Sequence, residues 1–218
     1  MTDVSRETPP APDVARGVFA DRLALAEQYA DLLATEGTLR GLIGPREVPR
    51  LWERHLLNCA VLADLIAPGA TVCDLGSGAG LPGLVLAIRR PDLRVTLVEP
   101  LLRRTTLLDE MVAILGLDNV EVRRARAEQL QGTSTFDVVT SRAVAPLPKL
   151  VGWSLPLTRG GGETLAMKGS AAAEEVRTAE PTLRKLGATR WSVESVGSGV
   201  VDTLVTVVRI GKSGGRRA

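Results

Sequence analysis

Apolar positions along the 218-residue chain change their period near Thr71. Before that point FADRLALAEQYADLLA sets Phe19, Leu23, Ala26, Ala30 and Leu33 on one face at helical spacing, and the pattern stops near Gly37. Pro45 and Pro49 bracket a turn, after which LWERHLLNCAVLADLI repeats apolar residues at helical spacing until Pro68-Gly69 ends it. Two helices are therefore expected outside the main sheet, ahead of the first strand. From Thr71 onward short apolar runs alternate with helical stretches: TVCDL, PGLVLAIRR, RVTLVE, LLRRTTLLDEMVAILG, NVEVRR, a short turn near AEQL, and FDVVTS. Such alternation predicts a parallel sheet with right-handed crossovers. A helix near 146–157, a strand at GETLAMK and a helix at AAAEEVRTAEPTLRKLG follow, and the runs RWSVESV and DTLVTVVRI are close enough for a terminal antiparallel pair.

The expected fold is thus α/β, a seven-stranded, mostly parallel sheet with an antiparallel last strand and an N-terminal helical extension. That is the Rossmann-like plan of class I S-adenosylmethionine methyltransferases. The expected organisation is a disordered N-terminus over 1–13, which is polar and proline-rich, the helical extension over 14–68, the main domain over 69–210, and a flexible tail, GKSGGRRA, over 211–218.

Hydrophobic residues at 44% and charged residues at 24% suit a globular core, and a net charge of +2 is too small for a general polyanion binder. Any basic surface must be local. Arginines cluster at Arg89-Arg90, Arg103-Arg104, Arg123-Arg124-Arg126 and Arg216-Arg217, and arginine favours bidentate phosphate contacts. Solvated helix ends and strand edges account for each pair equally well when it is taken alone. Cys59 and Cys73 sit in apolar surroundings, LLNCAVL and TVCDL, which suit buried thiols in a reducing compartment and neither a disulfide nor a metal site. The N-terminus lacks an apolar signal region and no apolar run reaches membrane-spanning length, so a cytoplasmic protein is expected. With no obvious apolar surface patch, it is expected to be a monomer.

The stretch VCDLGSGAGLPG carries the candidate chemistry. Gly78, Gly80 and Gly83 satisfy the dinucleotide pattern G-x-G-x-x-G, while Asp74, Gly76, Gly78 and Gly80 satisfy D-x-G-x-G-x-G, expected of S-adenosylmethionine binders. The turn follows the first strand and opens a helix, the place where a nucleotide-type ligand binds in a doubly wound sheet. Asp74 favours S-adenosylmethionine, because a carboxylate there would repel a pyrophosphate and is compatible with an ammonium and a sulfonium. Glu99, ending the next strand, is placed to accept from both ribose hydroxyls, an assignment that both cofactors share. Ala127-Glu128, after the third strand, falls where a short turn closes over an adenine, though Glu128 also reads as a solvated acid at a helix start. A nicotinamide-dependent oxidoreductase is the competing reading.

Further motifs surround this turn: W-x-R-H at Trp52, Arg54 and His55, the pair Arg103-Arg104, SRA at 141–143 and MKG at 167–169. With DLGSGAGLPG they resemble, in order and over about 19–210, the RsmG family, also called GidB, in an actinobacterial-type variant. The chain has GTLRGLIGPREV where many members have W-N-x-x-x-N-L-T. The resemblance implies a methyltransferase that carries methyl from S-adenosylmethionine to N7 of a guanine in the 530 loop of 16S rRNA, guanine 527. It implies as partner 16S rRNA, in the small subunit or an assembly intermediate. A methyltransferase acting on another RNA or a small molecule is the alternative. The family's cofactor contacts fall on Gly76, Leu81, Ala127, Glu128 and Arg142; Asp74, Gly78 and Glu99 are added from strand-end geometry.

Guanine N7 has a free lone pair at neutral pH, so its methylation needs no general base, and alignment and desolvation carry the catalysis. This suits a chain with a single histidine. Arg142, ending the fourth strand, is the candidate catalytic residue, aimed at the cofactor carboxylate or at guanine O6; pairing with an acid such as Asp137 is its structural alternative. His55 alone reads as a satisfied, half-buried histidine, and the resemblance raises Arg54-His55 to a helix-to-core anchor or an RNA contact. Lys168 reads either as a phosphate contact or as a snorkelling surface lysine. Arg103, Arg104, Arg123, Arg124 and Arg126 are expected to form an RNA-facing rim. Trp52 and Trp153 lie in helical apolar patterns and are expected in the core.

Overall fold

The structure is a computed structural model that describes residues 8–214. Seven strands, β1 (Thr71–Leu75), β2 (Arg94–Val98), β3 (Val120–Arg123), β4 (Phe136–Arg142), β5 (Thr158–Lys168), β6 (Ala188–Val196) and β7 (Val205–Lys212), form one sheet in the order β3-β2-β1-β4-β5-β7-β6. The first five strands run parallel to one another, and β7 lies antiparallel between β5 and β6. The order reverses between β1 and β4, which is where a doubly wound sheet opens a crevice at its carboxyl edge.

Both faces of the sheet are covered, and strand alternation divides the core in two. Val72, Val95, Leu97, Val138, Leu165 and Val207 belong to one apolar layer. Cys73, Leu75, Val139, Ala166 and Val208 belong to the other. The first layer packs under α4 (Gly83–Arg89), α5 (Leu102–Leu115) and the N-terminal extension, the second under α6 (Ala127–Leu130), α7 (Leu147–Leu157) and α8 (Ala172–Lys185). Asp74 has the parity of Val72 and so points into the first layer, beneath α4. Among the described residues no helix is long and apolar enough to cross a membrane.

The extension departs from two continuous helices. Its first run is α1 (Asp13–Phe19), a 3-10 turn (Ala20–Arg22) with Ala20 at φ +47°, α2 (Leu23–Leu32) and a wide turn (Leu33–Gly37). Phe19, Ala26, Ala30 and Leu33 are buried and Leu23 is half-buried, so the predicted face survives the break. A carbonyl freed at the break is satisfied from outside the helix, where Arg89 of α4 donates to Val18 O (3.2 Å), and Arg22 within the break in turn donates to Ile88 O of α4 (3.3 Å). The second run is a 3-10 segment (Pro45–Arg50), a wide-turned segment (Leu51–Leu57), the single turn α3 (Asn58–Ala60) and a 3-10 segment (Val61–Leu65).

Both expected chain ends are revised where they are described. Of residues 1–13, 1–7 lie outside the described residues; Pro9 O accepts from Trp52 Nε1 (2.9 Å), Ala11 packs on the core, and α1 begins at Asp13. Gly211 and Lys212 belong to β7, where Lys212 Nζ donates to Leu155 O (2.9 Å) and Thr158 O (2.8 Å), while 215–218 lie outside the described residues.

Candidate functional site

The glycine turn joins β1 to α4. Gly76 N and Ser77 N both donate to Val98 O at the end of β2 (2.8 and 3.2 Å), which ties the turn to the adjacent strand. Gly76 has φ +74°, and a Cβ there would lie 2.8 Å from Val144 Cγ2. Gly83 is required by packing instead: its Cβ would lie 2.3 Å from Leu97 Cδ2 and 2.7 Å from Asp74 Oδ2. Helix and strand can approach this closely only over a glycine. Leu81 is buried in the turn, and Tyr29, reaching across from α2, donates to Ala79 O (2.9 Å). The extension therefore holds the turn directly.

Three carboxylates lie at the site. Asp74 is fully buried; its Oδ2 accepts from Gly83 N (3.0 Å), and its Oδ1 has no partner among the described residues. Burial raises its pKa to about 7 against the opposing pull of the Gly83 N–H, with Glu99 adding to the rise. Glu99 is buried as well: Oε2 accepts from Gly78 N (3.2 Å) and Arg104 Nη1 (3.4 Å), and Oε1 accepts from Leu101 N (3.1 Å). Oε2 thus has both lone pairs engaged, and Oε1 keeps one free. Glu128, exposed in α6 beside the buried Ala127, accepts from Trp153 Nε1 (2.6 Å), so Trp153 is half-buried beside this turn rather than in the core.

Arg142 ends β4 at the crevice, and its guanidinium meets neither Asp137 nor any other carboxylate among the described residues. Nη2 donates to His55 Nδ1 (2.8 Å) and Arg54 O (3.2 Å), and Nη1 donates to Cys59 Sγ (3.7 Å). Asp137 sits at the opposite end of the strand, bound to Thr71 and Arg159. Ala143, next in the SRA motif, has φ +54°, an uncommon backbone for a residue with a Cβ. It directs Val144 onto Gly76. Arg142, Val144, Met167, Lys168, Thr203 and Leu204 help line a cavity of about 910 Å³.

His55 is buried, with Nε2 2.9 Å from Glu47 Oε2. Burial and the Arg142 charge lower its pKa to about 4, although Glu47 pulls the other way. It is therefore neutral and enclosed, not presented to an RNA. Lys168 likewise turns inward: its ammonium donates to Ala145 O and Glu175 Oε2, both at 2.7 Å, which leaves the phosphate reading unsupported. In the rim, Arg103, Arg124 and Arg126 are exposed, whereas Arg123 is spent on Glu121 (2.7 Å) and Ser134 (3.2 Å), and Arg104 leans onto Glu99. Arg54 is exposed, 3.5 Å from Glu47. Tyr29 and Glu47 carry no motif that marks them, since both act through partners that are 50 and 8 positions away. Cys59 and Cys73 are buried free thiols.

A glycine turn at the topological switch point, a buried acid after β2 and an antiparallel β7 define the class: a class I S-adenosylmethionine methyltransferase. Solved structures agree on the fold. The S-adenosylmethionine-dependent methyltransferase SibL superposes with a TM-score of 0.61 at 18% identity, covering 92% of this chain and 71% of that one. An S-adenosylmethionine-dependent O-methyltransferase from Thermotoga maritima gives 0.56 at 16% identity, covering 74% and 66%. Within the class, the family model described as rRNA small subunit methyltransferase G, GidB, matches residues 22–204, and the chain belongs to that family. Proteins called ribosomal RNA small subunit methyltransferase G are 64% identical over 209 residues in Nocardioides sp. (95% of this chain, 84% of the relative). The corresponding protein of Streptomyces avermitilis is 60% identical over 211 residues (96% and 88%).

Proposed function

We propose that this chain transfers the methyl group of S-adenosylmethionine to N7 of a guanine in the 530 loop of 16S rRNA, guanine 527, with the crevice at the carboxyl edge of the sheet as its active site. Family membership supports the substrate class. The observation that carries the site is Arg142, a guanidinium without a carboxylate partner among the described residues, set between the glycine turn and the adjoining cavity.

The residues present fit the cofactor. Asp74 Oδ1 is a buried acceptor without a partner among the described residues, suited to an ammonium, and Glu99 Oε1 keeps acceptor capacity for a ribose hydroxyl. The turn at Gly76 and Gly78 keeps side chains off the ligand's path, Leu81 lends an apolar wall, and Ala127 and Glu128 border the adenine side. When bound, S-adenosylmethionine would supply an electrophilic methyl on a sulfonium for transfer to the N7 lone pair. No proton leaves N7 in that transfer, so the protein needs no base, and His55, whose Nδ1 lone pair is engaged by Arg142, is not offered as one. Arg142 orients either the cofactor's carboxylate or guanine O6 by donated hydrogen bonds. Val144 and Met167 contribute apolar surface that excludes water from the transfer path.

The test is incubation of the purified protein with methyl-labelled S-adenosylmethionine and small subunits or 16S rRNA from cells lacking the gene, with the product mapped by mass spectrometry. Label on guanine 527 is expected. Label on a different RNA or a small molecule, or none, would overturn the reading.

A further inference from the structure

Every protein partner of the Arg142 side chain among the described residues comes from the N-terminal extension: Arg54 O, His55 Nδ1 and Cys59 Sγ. Of these three atoms, only His55 Nδ1 belongs to a ring that a carboxylate holds. A guanidinium has donors and no acceptor, so at 2.8 Å His55 Nδ1 must accept from Arg142. The ring proton then sits on Nε2, 2.9 Å from Glu47 Oε2, to which it donates. The order is fixed: the carboxylate selects the tautomer, and the tautomer presents a lone pair to the guanidinium. A protonated His55 would turn a second cation toward Arg142 and lose the bond.

We infer that Glu47 and His55 are positioning residues that set the Arg142 guanidinium at the end of β4, which makes the N-terminal extension a working part of the methyl-transfer site. The inference rests on reading Arg142 as a cofactor or acceptor contact. The charged and titratable groups that face the imidazole are Glu47 from the 3-10 segment Pro45–Arg50, Arg54 from the same helical segment as His55, and Arg142 from β4. Arg50 also acts on Glu47, whose carboxyl is held below its usual range chiefly by the His55 hydrogen bond. With the imidazole pKa lowered to about 4, the relay keeps its neutral form throughout the physiological range.

Two substitutions separate the bonds. His55→Asn keeps an oxygen acceptor near the Nδ1 position and drops the reach to Glu47, while His55→Gln reaches toward Glu47 and leaves no acceptor for Arg142. Binding of S-adenosylhomocysteine, measured by calorimetry, should weaken about tenfold or more in His55→Gln and in Arg142→Ala, and recover to within about threefold in His55→Asn. In the Arg142→Ala background His55→Gln should add nothing, because a residue that acts through Arg142 has nothing left to position. Full additivity, or wild-type affinity in His55→Gln, would overturn the inference; thermal melting checks that the variants fold. His55 is the sole histidine of the chain, so its imidazole nitrogen resonances are read without ambiguity. Protonated Nε2, unprotonated Nδ1 and no titration down to pH 5 are expected; a proton on Nδ1, or an ordinary histidine titration, would overturn it. Should Arg142→Ala leave affinity intact, the cofactor role of Arg142 fails, and the tautomer spectrum still decides the relay.

Discussion

At the two ends of the parallel strands, Asp137 and Glu163 on one side and Asp74 and Arg142 on the other are charged groups in opposite situations. At the amino end Asp137 accepts from Thr71 N (2.8 Å) and Thr71 Oγ1 (2.6 Å) and pairs with Arg159, and Glu163 binds Arg190 and Arg209 (2.7 Å). These bonds outweigh burial and hold both carboxyls below their usual range. At the carboxyl end Asp74 keeps one oxygen without a partner among the described residues, and burial raises its pKa. Arg142 there rests on neutral acceptors. A charge that holds strands together is matched within the chain, whereas a charge meant for a ligand is left short of partners and destabilises the free protein.

The largest effect is expected at Gly83. A valine there would collide with Leu97 and Asp74 at the contact between α4 and β1, so Gly83→Val should lose ~3 kcal/mol or more, or fail to fold, as read by denaturant unfolding. Gly76→Val, which meets Val144 and a positive φ, should abolish S-adenosylhomocysteine binding while circular dichroism stays near normal; preserved affinity would contradict the placement of the turn.

Next come the two aspartates. At pH 8, Asp74→Asn removes an ionised group from a fully buried site, so the free protein should melt several degrees higher while cofactor affinity falls. Asp137→Asn should do the reverse, losing ~1–2 kcal/mol of stability with affinity unchanged. Identical signs for the two would break the comparison.

The pH profiles sharpen it further. His55 takes up a proton near its ordinary pKa of 6.5 when unfolded but only near 4 when folded, so it makes stability rise with pH across that window. Asp74 loses its proton near 3.8 when unfolded but only near 7 when folded, so it makes stability fall as pH rises over 4–7. Relative to the parent, melting temperatures of Asp74→Asn should climb as pH rises through this range, and those of His55→Asn should decline. The smallest effect belongs to the exposed rim: Arg124→Ala or Arg126→Ala should weaken small-subunit binding by about two- to fivefold and reduce its salt dependence by about one ion each.

Much of the fold was legible because hydrophobic period and strand burial agree. TVCDL became β1 residue for residue, and the alternation of runs placed seven strands in their order along the chain. The breaks at Ala20 and within 51–65 were not legible, because their free carbonyls are satisfied by side chains distant in sequence: Arg89 serves Val18 O and Ala60 O, Arg90 serves Ala63 O, and Arg142 serves Arg54 O. In the site, the glycines announced a turn. The partners of charged groups showed less: Lys168 looked available for a phosphate, and only the folded chain put Glu175 and Ala145 O around its ammonium, whereas Glu121 shares a face of β3 with Arg123.

By itself, then, the sequence determined the α/β plan, the position of the ligand turn and the family, since period, glycine spacing and motif order are properties of a string. Tertiary structure alone decided which charges are spent and which are left open. It buried Asp74 under α4, closed Tyr29 onto the turn and set Glu47 and His55 behind Arg142. A hydrogen bond acts over about 3 Å, and which groups come that close is settled by packing across layers that lie far apart in the chain.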